Sequence, residues 1–448
     1  MTALVVLVYL TQLCAGLLVA CPLCKGRAGA TGTLARALLF GPALITLQLC
    51  AYHVLQVRFG LTAVILPWWI LAGLAAWRRG PGFFELGAWP SAALARATLA
   101  LLAILAALNA YIGLWLPVIG GDAVLNFALN ARVFATEGSF APEALLSLKA
   151  MGHREYPPLL ASNEALLFQA GGLEGARIIR PFFALAYLAV LLLVHRLCEE
   201  ELGSWLAALT ATAIGAAPIF WVFGENGYAD LRLTACVLVV VLEGRELARR
   251  PARGLAFRLA LAALACALTK NEGIPVAAAC GVFLVALGVR SRLDWQSSAS
   301  AFALLAAGSS FWPLFKAMHG ISDLYIAGAA GQSSVENLLR LPRILVAFAG
   351  FTMDRNLNDV LHWGVLWPAA AMAIGWALFG GTERRELAVL TLCLLLHLSL
   401  YVIVFVMTPH SLEWHLQTAG GRLLLHASPW MLVLFVASIR RLARQKMT

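Results

Sequence analysis

Five polar clusters interrupt a chain that is otherwise apolar, and each contains side chains able to move protons or hold an anion. GGDAVLNFALNARVF at 120–134 offers Asp122. HREYPPLL at 153–160 offers Arg154 and Glu155, with Glu164 following on the next helix. ENGYADLRL at 225–233 carries Glu225, Asp230 and Arg232, and LTKNEGIP at 268–275 carries Lys270 and Glu272. TPHSLEWHLQTAGGRLLLHASP at 408–429 contains Glu413, Trp414, His415 and Arg422. A carboxylate at an apolar boundary can act as a general base, and a cation there can stabilise charge on a departing group. Each cluster also has a plain structural explanation. Asp122 can cap a helix, the Gly-containing turns can be solvated, and Trp414 suits an interfacial aromatic belt. Singly the clusters are mild; their common placement gives them weight.

The elements that position them are membrane spans. The chain has 448 residues, 61% hydrophobic and 12% charged, against roughly 25% charged for a soluble domain. So little charge cannot cover a water-soluble body of this size. An ordinary soluble enzyme, a disordered chain and a nucleic-acid binder are thereby excluded. Stretches of about 20 apolar residues recur along the chain. They predict an all-α, polytopic transmembrane bundle of about thirteen spans, at 1–20, 37–57, 60–77, 94–119, 178–197, 203–223, 229–247, 255–269, 273–289, 298–317, 359–380, 386–407 and 422–439. The nine cysteines lie mostly within apolar runs, as packing residues do. LLVAC, ending at Cys21, lacks a preceding basic residue and is expected to continue as an uncleaved helix.

Charge sorts the loops. With the N-terminus outside and the C-terminus inside, most of the 33 basic residues fall in short inner loops, including Arg78, Arg79, the run from Arg245 to Arg258, Arg384, Arg385 and the tail from Arg440. The opposite orientation would expose the Arg245–Arg258 group. The net charge of +10 is therefore a topology signal rather than evidence for an anionic partner. The outer segments become 120–177, 224–228, 270–272, 318–358 and 408–421, and every polar cluster lies in or beside one of them. The inner loops leave no room for a cytosolic nucleotide-binding domain.

Local patterns refine this. Ala123, Asn126 and Asn130 recur at helical spacing and predict an amphipathic juxtamembrane helix on the interface. Pro157 and Pro158 hold Arg154 and Glu155 on a stiff loop. Arg422 is read as the start of a helix, where a cation opposes the dipole and so serves some other purpose. His397 and His426 lie within spans and are read as packing or helix-to-helix hydrogen bonding.

Taken in order, GDAVLNFALNAR, EYPPLL, GYADLRL, LTKNEG and TPHSLEWHLQTAGGR resemble the motifs of integral-membrane glycosyltransferases of the C-type fold that use polyprenyl-phosphate sugars. That group includes protein O-mannosyltransferases and lipid A aminoarabinose transferases. The resemblance runs from about residue 94 to 439. It departs at Gly121 and Phe127, where the family has Trp, and at Asn130 and Arg132, where it has Lys. It implies N-terminal extra helices over 1–93, a catalytic module over 94–439 with outer loop 120–177, and a basic cytoplasmic tail over 440–448.

The resemblance also implies roles. Asp122 would be the general base in an inverting transfer to a glycan, lipid or protein acceptor. Arg154, Arg422 and Lys270 would hold the donor phosphate, and Glu155, Asp230, Glu272 and His415 would orient the acceptor. A divalent cation, magnesium or manganese, is left open, with Asp122, Asp230 and Glu155 as its ligands if it is present. The Gly/Ser-rich segment 318–358 is read as a lid. The expected setting is the inner (plasma) membrane with the site on its extracytoplasmic face, among membrane lipid and without nucleic acid. The rival readings are another lipid-linked transferase or ligase, and a secondary transporter, which would show inverted repeats and charged broken helices.

Overall fold

The computed structural model describes residues 3–24, 29–116, 120–147, 153–172, 176–322, 337–352, 363–364, 366–379, 384–408 and 410–445. Helix accounts for 85% of the structure, and the described residues contain no strand. Among the described residues, eight helices are long and apolar enough to cross a membrane, so the class read from composition holds: this is an all-helical membrane protein. In a bilayer core the backbone must satisfy its own hydrogen bonds, and helices do so within each segment.

The chain divides into two compact units. The first comprises residues 1–91, 103–193 and 223–321. It opens with α1 (Ala3–Cys24), α2 (Gly29–Val54) and α3 (Leu61–Arg79). α1 runs through Cys21, and Cys21 and Cys24 are buried free thiols. α1 and α2 pack closely because Gly16 and Gly41 leave room for the facing backbone at Ala37 and Gln12. α4 (Ala93–Trp115) leads to the first motif segment. That segment contains a π-helical run, Asp122–Ala128, continued by α5 (Leu129–Glu137), and then α6 (Pro142–Ser147) and α7 (Leu159–Gly171). α8 spans Arg180–Leu202.

After α9 (Ser204–Ala216) and α10 (Pro218–Phe223) come α11 (Asp230–Arg249), α12 (Arg253–Thr269), α13 (Gly273–Val289) and α14 (Trp295–Met318). α12 is the hub of the first unit, touching α1, α2, α7, α11, α13 and α14. Ala, Leu and Cys fill most of it, so neighbours approach from every side and nearly the whole helix is buried. The three N-terminal helices thus share a unit with four of the five polar clusters.

The second unit comprises residues 92–102, 194–222 and 322–448. Its later helices are α15 (Leu341–Thr352), α16 (Leu366–Phe379), α17 (Arg384–Val406) and α18 (Leu412–Gln445), with α15, α16 and α17 all packing on α18.

Several sequence expectations change in detail. The stretch expected as one span at 203–223 is broken at Ala217, where Pro218 starts a new helix. α12 and α13, expected as spans, have 17 residues each, shorter than the roughly 20 that a crossing takes. Arg422 does not begin a helix. α18 starts at Leu412, so Arg422 lies well inside it and the unfavourable dipole contact disappears. Within the segment read as a lid, α15 is helical, while 323–336 and 353–362 lie outside the described residues. Lys446 of the basic tail also lies outside them.

Candidate functional site

Four clusters meet in the first unit. Asp122 opens the π-helical run, and Asn126, four residues on and so on the same face, donates its Nδ2–H to Asp122 Oδ1 at 3.3 Å. Gly121, not Asp122, occupies the cap position, so capping does not explain the carboxylate. The helix is amphipathic in an unexpected direction: Asn126 and Asn130 are buried, while Val124 and Leu125 are exposed. Against lipid that is the favourable arrangement, because the polar face turns toward protein groups that can pair with it.

The HREYPP loop docks on this face. The His153 backbone N–H donates to Asn126 Oδ1 at 2.8 Å. Tyr156 stacks between Phe127 and His153, at centroid distances of 5.6 and 4.8 Å. The indole N–H of Trp312 on α14 donates to the Glu155 carbonyl at 2.9 Å. These ties hold Glu155 in the protein interior, where its Oε1 accepts from His153 Nδ1 at 2.6 Å. Burial works against a charged His153, but the Glu155 hydrogen bond and the charges of Glu155 and Asp122 outweigh burial and an opposing Lys270, leaving its pKa raised above the usual imidazole value. The charges of Asp122, Glu155 and Lys270 therefore all reach one imidazole. Arg154 Nη1 donates to the Leu146 carbonyl at 3.2 Å.

The GYAD and TKNEG turns supply the other side. A β-carbon on Gly120 would overlap the Tyr228 ring, so the glycine before Asp122 lets the GYAD turn pack against it. Asp230 begins α11 and is fully buried. Gly273 is equally constrained: a β-carbon there would strike the Cys266 carbonyl, so the chain can fold back after α12 only with glycine. This tight turn brings Lys270 Nζ within 3.1 Å of Asp230 Oδ1 and 3.0 Å of Glu272 Oε1. The Lys270 side chain is 4% exposed and that of Glu272 is 21% exposed, so Glu272 is the less buried partner. Nearby, burial pushes the Glu225 carboxyl up while Arg180 pulls it down.

Among the described residues, no three or more His, Cys, Asp and Glu side chains gather in a way that could hold a metal ion. The carboxylates suggested as ligands have other partners: Asp122 has Asn126, Glu155 has His153 and Asp230 has Lys270.

Arg422 and His415 belong to the second unit. His415 is buried on α18 with its ring 4.6 Å from Phe405, and Glu413 pairs with Arg343 at 3.1 Å on an exposed surface. Also in this unit, the Trp430 indole N–H donates to His397 Nδ1 at 3.0 Å, and Tyr401 O–H lies 2.8 Å from His397 Nε2 and 3.1 Å from His426 Nδ1. The expected helix-to-helix role of these two histidines is thus present.

Sequence reading missed Asn126, His153 and Trp312 as site-builders. Asn126 was read only for its helical spacing, and His153 adjoined two residues of stronger apparent chemistry. Nothing local in the sequence marks Trp312. No family model, no curated protein and no solved structure matches the chain.

Proposed function

We propose that this protein is an inverting membrane glycosyltransferase that moves a sugar from a polyprenyl-phosphate donor to an extracytoplasmic acceptor. The observation that carries the reading is the docking of the HREYPP loop on the Asp122 helix, where Asn126 bonds both Asp122 and the His153 backbone, beside a buried Lys270–Asp230 pair from two further motifs. In this reading the bundle carries about thirteen spans in a C-type arrangement, with the N-terminus outside and the site at the outer face. A donor anchored in lipid can reach such a site without passing through the cytosol.

Asp122, oriented by Asn126, takes the proton of the acceptor hydroxyl as its oxygen attacks the anomeric carbon. The bond from that carbon to the phosphate oxygen breaks in line, and the phosphate leaves with the electron pair. A phosphate monoester has a second pKa of about 6, so it leaves without a general acid but needs positive charge nearby. His153, whose pKa is raised by Glu155 and Asp122, is added to Lys270 and Arg154 as a source of that charge. Glu155 holds His153 and Asp230 holds Lys270, and Glu272, the more exposed partner of Lys270, is assigned to the acceptor. By resemblance alone, Arg422 and His415 are assigned to donor and acceptor.

The test is transfer by the purified full-length protein from a panel of polyprenyl-phosphate sugars. Asp122→Asn is expected to lower kcat by about 10²- to 10⁴-fold with an unchanged Tm. A wild type that consumes no such donor, or a variant of full activity, overturns the reading. Substrate counterflow in proteoliposomes without covalent product would establish a transporter instead.

A further inference from the structure

α13 and α14 enclose a groove of about 730 Å³ on the surface of the first unit. Its hollow follows from residue size. α13 carries no charged residue from Gly273 to Val289, and Ala277, Gly281 and Ala286 on it face Ala306 and Ser309 of α14 across the groove, where larger side chains would fill the space. Buried groups fasten the two helices to each other. The Ser298 hydroxyl donates to the Leu284 carbonyl at 2.6 Å, and Gly288 leaves room for the Ser298 side chain. Val282 and Val289, which also line the groove, are each 71% exposed, so it is open along its side. α14 is long and apolar enough to cross a membrane, and in a bilayer an apolar groove open on it takes hydrocarbon.

The two ends of the groove differ in charge. Ile274 marks one end, just after the Lys270 turn, where Asp230 and Glu272 balance Lys270. Arg290 lines the other end and is exposed. Arg292 beside it is exposed too, and its Nη2 donates to the Ala248 carbonyl at 3.5 Å, which brings in the end of α11 with exposed Arg249 and Arg250. Exposed Arg253 opens α12 three residues further on. The acids on these stretches offset little of this. Glu243 is closed between Arg36 and Arg258, Glu246 is half-buried, and Asp294 caps α14 by accepting from the Ser297 backbone N–H at 2.8 Å. α13 is about 25 Å long at 1.5 Å per residue, more than the about 15 Å of one bilayer leaflet, so a whole acyl chain entering at Arg290 fits along it.

We propose that this groove binds an anionic diacyl phospholipid, with its phosphate on Arg290 and Arg292 and an acyl chain along α13 and α14. A second copy of the chain is the poorer occupant: copies in one membrane share an orientation, so a two-fold contact here would set these arginines against each other. The groove shares no residue with the proposed transfer site, and its occupancy is read without a sugar donor.

The test is equilibrium lipid binding to the full-length protein in detergent, with phosphatidylglycerol and phosphatidylcholine in separate arms. Saturable phosphatidylglycerol binding is expected, about fivefold or more tighter than phosphatidylcholine. Arg290→Gln is expected to weaken phosphatidylglycerol about fivefold and to leave phosphatidylcholine unchanged. Ala286→Trp, which fills the groove and keeps every arginine, is expected to weaken phosphatidylglycerol roughly tenfold or more. Ala306→Trp makes the same test from the opposite wall should Ala286→Trp not fold. Equal affinity for the two lipids, or phosphatidylglycerol binding unchanged by Arg290→Gln or by the tryptophan variants, overturns the proposal. So does dimerisation that the tryptophan variants abolish in the absence of saturable lipid binding, which would give the groove to a second copy.

Discussion

The helix pair α11 and α12 is pinned by buried charges at both ends, and the two ends are built differently. At one end Glu243 lies between two arginines: Arg36 Nε donates to it at 2.6 Å and Arg258 Nε at 2.8 Å. The arginines are finished off by backbone carbonyls, Gly32 for Arg36 and Leu23 for Arg258. All three side chains are buried, so this group is closed. At the other end a single lysine serves two carboxylates, Asp230 and Glu272, of which Glu272 is the less buried. Arginine's fixed planar fork suits a permanent joint, whereas a compact ammonium shared by two acids can exchange partners. The first end fastens α2, α11 and α12 together. The second is the one within electrostatic reach of His153.

The comparison breaks most readily at Glu243. Glu243→Gln leaves two buried arginines facing a neutral amide, and a loss of about 3–5 kcal/mol in urea unfolding is expected. Asp230→Asn should cost far less, about 1 kcal/mol, because Glu272 still balances Lys270. Equal losses at the two ends would erase the distinction drawn here.

Backbone crowding offers the next test. Gly273→Ala forces a methyl against the Cys266 carbonyl, and about 1–3 kcal/mol of destabilisation is expected with activity falling alongside. A variant that keeps wild-type Tm would show that the turn is not as tight as described.

The smallest effect concerns pH. The folded pKa of His153 is raised, so the stability gained from its pairing with Glu155 is fully present below the unfolded value near 6.5 and fades as pH rises through the folded value. Transfer activity should fall over the same window, and His153→Gln should flatten that limb of the profile. A limb that survives the substitution assigns it to another group.

Particular residues show how far sequence could be read. Asp122, Glu155, Asp230, Lys270 and Glu272 stood out because a charge in an apolar chain is conspicuous, and four of the clusters do share a unit. The Asn126 and Asn130 spacing correctly predicted a helix, but not that its asparagine face is buried. Nor could spacing reveal that the turn after Asp122 is π-helical. Arg422 was misplaced because the two glycines before it look like a helix stop, yet α18 runs straight through them.

Membrane class and helicity were decided by the amino-acid sequence alone, since hydropathy belongs to contiguous residues and a bilayer acts on each stretch separately. Which charges are paired was decided only by tertiary structure. Lys270 finds Asp230 across 40 residues, His153 finds Asn126 across 27 and Arg36 finds Glu243 across 207. Electrostatic and hydrogen-bond energies fall off within a few ångströms in space, and distance along the chain says nothing about that separation.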